Sequence, residues 1–507
     1  MTAKFDFIVV GAGSAGAVLA RRLVDAGKTV AVLEAGGQDT NPLIADVFAA
    51  GALWHGPEDW DYYTTEQEGC AGRRLHLPRG KVVGGSHALN ATIWVRGAKQ
   101  DYDTWSYLGC PGWSWDEVLP VFKAIEKYDG GASDTRGGSG LLDVVKDFPA
   151  NPVQEDILEA AQEIGIKLNE DYNSGDVEGV SKMQLNIRDG KRFNTWHAYL
   201  KPVTGHENLT LVTGAHVNRL VIEAGTVTGV EYEKDGARHT ITAGETILAG
   251  GAIGTPAILL RSGVGPAEEL REAGVRPVHD LPGVGKNLQD HLLSPVIYTT
   301  TEREVPTPQV GAAETHLFWK SSPDLAVPDT QPIHFSLPMY GEGMEGPANG
   351  FTLMAGLVRP VSRGEIKLVG PALEDPIQID LGALAEQADV DALVASVRQC
   401  RELGNAHALA AWGPQELYPG PAVSDEELED YVRRTTVTYH HQVGTCKMGL
   451  DAMAVVDPRS LKVRGLDGVR VADASIMPLV PTGNTNAPSV LIGEMAATFL
   501  TGIPAYQ

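Results

Sequence analysis

The residues best suited to chemistry lie near the end of the chain. They are His440-His441-Gln442-Val443-Gly444-Thr445-Cys446, then Asp473-Ala474-Ser475, then Gly483-Asn484-Thr485-Asn486-Ala487-Pro488. Oxidising an alcohol takes a base for the hydroxyl proton and an acceptor for the carbon-bound hydride. A neutral imidazole suits the first task, because its ordinary pKa of ~6.5 leaves it mostly unprotonated near pH 7. A side-chain amide can hold the hydroxyl oxygen meanwhile. The hydride acceptor has to be a cofactor, and Gly11-Ala12-Gly13-Ser14-Ala15-Gly16 offers a place for one, more than 400 residues upstream of the histidines. A C-terminal segment returning to a dinucleotide held at the N-terminus points to alcohol oxidation.

Those groups need elements to hold them. Residues 5–10 read as a buried parallel strand, residues 11–16 as a tight turn opening a helix that runs to about 26, and residues 28–33 as a second strand ending at Glu34. In this βαβ unit Gly11 permits the turn, Gly13 lets the backbone approach a pyrophosphate, and Gly16 allows the helix to pack on the strand. Ser14 and Ala15 stand at the helix N-terminus, where unpaired N–H groups and the positive dipole end favour an anion. Glu34 is placed to accept from ribose hydroxyls. A helix is expected over 116–128, followed by a turn-rich, mobile loop at 130–140. Strands are expected at 209–212, 217–223, 227–234 and 245–249, leading to a second Gly-rich turn at Gly250-Gly251.

From about 291 to 435 the texture changes. Strand-like segments at 352–357, 364–369 and 377–380 precede helical ones at 385–403 and 424–434. The fold expected is α/β (α+β overall). A Rossmann-type cofactor domain is assembled from 1–150, 190–290 and 436–507, and a separate antiparallel-sheet substrate domain from 151–189 and 291–435.

A net charge of −24 would repel phosphate backbones and anionic lipids, so neither nucleic acid nor membrane is an expected partner. No apolar run approaches the ~20 residues that span a bilayer. Cys70, Cys110, Cys400 and Cys446 form no CxxC and no His/Cys cluster of zinc spacing, so no metal is expected and a reducing compartment fits best. The fingerprint begins within a dozen residues of Met1, which leaves no room for a signal peptide. A cytoplasmic monomer is the expectation.

Longer motifs choose among dinucleotides. Pro78-Arg79-Gly80-Lys81-Val82-Val83-Gly84-Gly85-Ser86-His87-Ala88-Leu89-Asn90 and Gly251-Ala252-Ile253-Gly254-Thr255-Pro256-Ala257-Ile258-Leu259-Leu260-Arg261-Ser262-Gly263-Val264-Gly265 resemble the two signature stretches of the glucose–methanol–choline (GMC) oxidoreductases. His441-x-Val443-Gly444-Thr445, Val455-Val456-Asp457-Pro458, Asp473-Ala474-Ser475 and Asn484-Thr485-Asn486-Ala487-Pro488 resemble that family's C-terminal segment, in the family's order. The resemblance runs from about residue 5 to residue 500 and implies FAD as cofactor.

By that resemblance Gly84 and Gly85 bring backbone amides against the diphosphate or the flavin, Asn90 lies near the pyrimidine edge, and the Val217 backbone meets adenine, although a plain core role fits the Val217 side chain equally well. Asp473, with Ala474 and Thr485, is implied beside the pyrophosphate and ribityl chain. His441 matches the catalytic histidine and Asn486 its partner, which is His or Asn among relatives. His440 is open to three roles: substrate contact, orientation of FAD, or structure. His87 stands where the family usually has a small residue, and Leu89 where members with covalent flavin have histidine, so non-covalent FAD is expected. The implied reaction turns a small primary alcohol into an aldehyde. Pyridoxine giving pyridoxal, with dioxygen as acceptor and hydrogen peroxide as product, is the favoured case. Choline is weakened because His440, not an aromatic ring, precedes His441. A choline-dehydrogenase-like enzyme, an aryl-alcohol or hydroxymethylfurfural oxidase, a quinone- or protein-linked dehydrogenase and a flavin-containing hydroxynitrile lyase are the alternatives.

Overall fold

The computed structural model describes residues 5–49 and 51–505. Its first sheet runs in the order Leu209–Thr213, Val30–Glu34, Phe5–Val10, Ala237–Leu248, Thr226–Lys234, His216–Glu223. The first four strands pair in parallel, as does Val469–Val471 along Ala237–Leu248. Val30–Glu34 is buried along its whole length, as near-continuous apolar runs in parallel sheets are. The strand expected at 245–249 starts eight residues earlier. Residues 237–242 first pair antiparallel with Thr226–Lys234, and the same strand then runs parallel to Phe5–Val10 from Ala243.

Helix Ser14–Asp25 begins at the glycine turn, and the C-terminal helix Asn486–Thr501 packs beside it, joined by an Arg22–Glu494 ion pair of 2.8 Å. Glu494 is fully buried and Arg22 partly so, which makes this a fixed cross-tie rather than a solvated surface pair. Pro488 falls in the first turn of the C-terminal helix, where the missing N–H has no intrahelical acceptor anyway.

The second sheet is antiparallel, in the order Pro414–Tyr418, Leu292–Thr300, Gly350–Leu357, Ile333–Phe335, Ala313–Phe318, Gly179–Lys182. Helix Gln387–Gly404 contributes its apolar face to the core of this sheet. Val437–Thr438 also pairs with the start of Leu292–Thr300, two residues beyond the boundary expected at 435. That pairing has a chemical consequence. It sets Tyr439 N–H on the His291 carbonyl at 2.9 Å and so brings residues 439–441 alongside 290–291.

The 130–140 loop is pinned rather than free. Arg136 is 1% exposed, pairs with Glu126 and Asp171 at 2.8 and 2.7 Å, and lies over the Tyr128 ring. The expected helix stops at Ile125 because residues 126–128 pair as a strand with Leu142–Val144.

Candidate active site

A cavity of about 1430 Å³ runs between the two sheets, larger than the ~300–1,000 Å³ of an ordinary small-molecule site. That volume has room for a dinucleotide and a small substrate together. Three glycines shape its cofactor end. A Cβ at Gly251 or Gly254 would meet nothing within 4 Å, and one at Gly13 only the Gly85 backbone at 3.8 Å, so each would fill space that belongs to a ligand. Ser14 and Ala15 line the same wall at the helix N-terminus, an anion-favouring place. Glu34 lines it too, with one carboxylate oxygen accepting from Ala12 N–H and the other from Gly36 N–H, both at 2.8 Å. Burial raises its pKa, and those two N–H groups act against the rise. Val217 borders the cavity on the strand beyond, next to His216, whose ring meets Trp60 at 5.1 Å. This donor set and these open glycines fit FAD.

Several expected contacts turn out to be spent within the protein. Gly16, expected to let the helix pack on the strand, does so and does not line the cavity. A Cβ there would fall 2.0 Å from the Gly11 carbonyl oxygen, so its work is helix–strand contact. Gly84 and Gly85 were expected to offer amides to the cofactor. Instead Gly84 N–H donates to the Ala12 carbonyl and Gly85 N–H to that of Val82, both at 2.8 Å. Gly85, with φ +54°, lets its turn press on the first one, since a Cβ there would lie 2.7 Å from Gly13 Cα. The Asp473 carboxylate accepts from Ser475 N–H and Oγ and from Gly251 N–H and Thr255 Oγ1, which ties the second Gly-rich turn and uses both oxygens. Contact with a cofactor is left to the Asp473 backbone and to Ala474 and Thr485, all on the cavity wall. Asn90 also lines it, its Oδ1 held at 2.9 Å by both Thr92 N–H and Arg192.

At the opposite end stands His441, 8% exposed. Its backbone N–H donates to Asp290 Oδ1 at 2.7 Å, and its ring stacks on Tyr439 at 4.5 Å. Its Nδ1 lies 3.0 Å from His291 Nδ1, and its Nε2 lies 3.2 Å from Asn484 Nδ2. The proton positions follow from the partners. An amide N–H₂ only donates, so His441 Nε2 accepts and the ring proton sits on Nδ1, directed at His291. Burial pushes His291 down to about 3, so it is neutral, and its Nε2 makes no well-formed hydrogen bond. Burial, followed by the neighbouring His291, His440 and Arg79, holds His441 well below the usual imidazole pKa. It is therefore a neutral imidazole whose accepting nitrogen, Nε2, faces Asn484. Burial also pushes Asp290 up to about 7, against the His441 N–H.

The expected pairing of His441 with Asn486 is corrected. Asn486 opens the C-terminal helix, its Oδ1 accepts from Ser14 Oγ at 2.8 Å, and its Nδ2 lies 3.3 Å from His87 Nε2. Asn484, two residues earlier on the preceding turn, is the amide beside the base. The Ala487-Pro488 pair carried that signal, because a proline in a first helical turn puts Asn486 at the helix start. His291 carries no comparable signal, since strand pairing alone brings it to His441. His440 has φ +63°, lines the cavity, and meets Trp54 edge-on at 5.1 Å. His87 is buried, and burial with the nearby Arg192 pushes its pKa down to about 3.

Comparison with known proteins fits this geometry. The models of the GMC oxidoreductase family match residues 5–293 with its N-terminal part and 360–493 with its C-terminal part. An alcohol dehydrogenase (acceptor) of Pseudomonas putida is 38% identical over 98% of this chain and 95% of its own. A pyridoxine 4-oxidase of Microbacterium luteolum is 35% identical over 99% of both chains. The crystal structure of pyridoxine 4-oxidase from Mesorbium loti superposes with a TM-score of 0.94 at 36% identity, covering 97% of this chain and 98% of that one. The chain belongs to the GMC oxidoreductase family, the FAD-dependent oxidoreductases that act on alcohols.

Proposed function

We propose that the protein oxidises a small primary alcohol to an aldehyde, with pyridoxine as alcohol, pyridoxal as product and dioxygen as acceptor. The observation that carries this reading is the pair at the end of the cavity: an accepting Nε2 on His441 beside a donating Nδ2 on Asn484, 3.2 Å apart. An alcohol oxygen set between them accepts from Asn484 and gives its proton to His441. With both contacts made, the hydroxyl carbon has little freedom to rotate. Bound FAD would supply the hydride acceptor. His441 is suited to proton transfer because its neutral form dominates, and a positioned general base is worth on the order of 10²–10⁴ in rate.

The walls favour a flat, uncharged ring. Leu293, Ile333, Phe335 and Met354 cluster around Tyr439 and line the cavity. His440 adds one polar point. Thr438 Oγ1 accepts from His440 N–H at 3.2 Å and lies 2.6 Å from Nδ1; in this reading its proton goes to Nδ1 and leaves Nε2–H as a donor. A hydroxymethyl pyridine with a hydroxyl on the adjacent ring carbon meets both demands, whereas a quaternary ammonium offers this donor nothing. The sequence likeness to the two pyridoxine 4-oxidases supports the same choice. In this reading FAD is held non-covalently, since Leu89 cannot form a histidyl link and the His87 ring is engaged by Asn486 and by Thr195 N–H. Four buried free cysteines suit a reducing, cytoplasmic setting.

Anaerobic mixing with pyridoxine, choline, benzyl alcohol and hydroxymethylfurfural is the test. Pyridoxine is expected to bleach the flavin fastest and to give pyridoxal, with hydrogen peroxide on admitting air. Faster bleaching by choline overturns the substrate assignment. Product formation with no bleaching at all moves the protein to a non-redox reaction.

A further inference from the structure

An asparagine side chain can face its neighbours in either of two ways, and for Asn484 the two have opposite effects. With Nδ2 toward His441, Nε2 is the accepting nitrogen and the substrate oxygen meets a donor. With Oδ1 toward His441, Nε2 would have to carry a proton, and the ring could accept none from the alcohol. Something must choose between them.

The chooser on the far side of Asn484 is Gln331. This side chain is fully buried, on the segment leading into strand Ile333–Phe335 of the second sheet. Its Nε2 lies 3.3 Å from Asn484 Oδ1 and 3.2 Å from His316 Nδ1. An amide nitrogen carries two hydrogens, so Gln331 can donate to both at once. The backbone of Gln331 is anchored by its N–H to the Gly356 carbonyl at 3.0 Å, and the His316 ring is fixed edge-on against Tyr172 at 4.4 Å. Burial pushes His316 down to about 3, so it stays neutral and its Nδ1 can accept. Donation then runs one way along the whole line: Gln331 to Asn484, Asn484 to His441, His441 to His291. The line ends at His291, whose Nε2 is buried without a well-formed hydrogen bond, so its direction is set from the Gln331 end.

We infer that Gln331 is a positioning residue for alcohol oxidation. By donating to Asn484 Oδ1 it holds the amide with Nδ2 toward the substrate oxygen and keeps His441 in its base tautomer. It touches neither substrate nor cofactor, and acts through Asn484. The inference rests on the proposed role of the His441–Asn484 pair and extends it into the substrate sheet, which thereby sets the chemistry as well as the shape of the site.

The test is a double-mutant cycle read as the limiting rate of anaerobic flavin reduction, with FAD content and thermal melting measured on every variant. Gln331→Met keeps the volume and removes the donor. It is expected to slow reduction about tenfold, the scale of one net hydrogen bond, chiefly in the limiting rate rather than in substrate affinity. In an Asn484→Ala background the same change is expected to do almost nothing, because the group it acts through is gone. A tenfold effect that persists in that background, or a wild-type rate for Gln331→Met, overturns the inference. Should Met not be accommodated, Gln331→Asn keeps an amide withdrawn by one methylene, and its cycle is read by the same criterion. His441→Ala separates the two claims. An undiminished rate there removes the reading of the pair and Gln331's role with it, whereas a slow His441→Ala with an additive cycle removes only the role of Gln331.

Discussion

The two ends of the cavity are built from different materials. The cofactor end is backbone: glycines at 13, 251 and 254 that leave room, and turns tied to each other through Gly84, Gly85 and Asp473. The substrate end is side chain: His441, Asn484, His291 and Gln331 in a buried line of single hydrogen bonds. A backbone cradle tolerates no added atoms but is indifferent to which way a proton points. A side-chain line tolerates small changes of volume and depends wholly on direction. Substitutions at the first end should therefore act on occupancy by FAD, and those at the second on rate.

The largest break is expected at the cradle. Gly16→Val puts methyl groups where a Cβ alone already lies 2.0 Å from the Gly11 carbonyl oxygen. The turn cannot keep its shape, and the purified protein should be colourless and lower-melting, as absorbance at the flavin band and calorimetry would report. A yellow protein of normal melting temperature would mean that the first turn is not the cofactor's support. Next comes His441→Ala, which should keep its FAD yet reduce it on the order of 10²-fold or more slowly. A colour loss in that variant would blur the distinction between the two ends.

His440→Phe should act more gently, by removing the Nε2–H donor while keeping the flat ring. The Michaelis constant for pyridoxine is expected to rise roughly tenfold, the worth of one hydrogen bond to a buried partner, and that for benzyl alcohol to change little. Equal changes for both would make His440 a packing residue. The smallest effect concerns pH. The His441 pKa is depressed by burial, so its base form persists as pH falls and is lost only well below the ~6.5 of a free imidazole. In an Asp290→Asn variant, where the neighbouring carboxyl that burial pushes up to about 7 no longer titrates, the limiting rate of flavin reduction should be nearly flat from about pH 6 to 8. A loss of rate centred at 6.5 or above would show that the site does not desolvate its base.

The contrast also explains what the sequence made legible. Gly11, Gly13, Gly16 and Glu34 sit within one βαβ unit, where spacing dictates geometry, and their placement followed directly. The strands at 350–357, 364–368 and 377–380 and the helix at 387–404 were readable from local periodicity. Gly84 and Gly85 were readable as close-approach glycines, but not the partner they approach, which is the first turn rather than a ligand. The substrate end resisted because its contacts are remote. His291 and Gln331 lie 150 and 153 residues from the side chains they meet. Only strand pairing across the second sheet reveals them. Asn484 and Asn486 differ by two positions, and the kink from an open turn into a helix sends one amide to the base and the other to Ser14 and His87. Arg136, hidden in a loop that reads as mobile, makes the same point, because its partners Glu126 and Asp171 are 10 and 35 residues away.

The most direct measurement of the central claim compares Asn484→Ala with Asn486→Ala, both reconstituted with FAD, by anaerobic stopped-flow reduction with pyridoxine. With Asn484 as the amide that holds the alcohol oxygen, Asn484→Ala is expected to lower the limiting rate by about tenfold or more. Asn486→Ala should show its cost in weaker FAD retention, with the limiting rate lowered by no more than about threefold. The reverse pattern, a slow Asn486→Ala beside a fast Asn484→Ala, would contradict the assignment of Asn484 and return the pairing to Asn486.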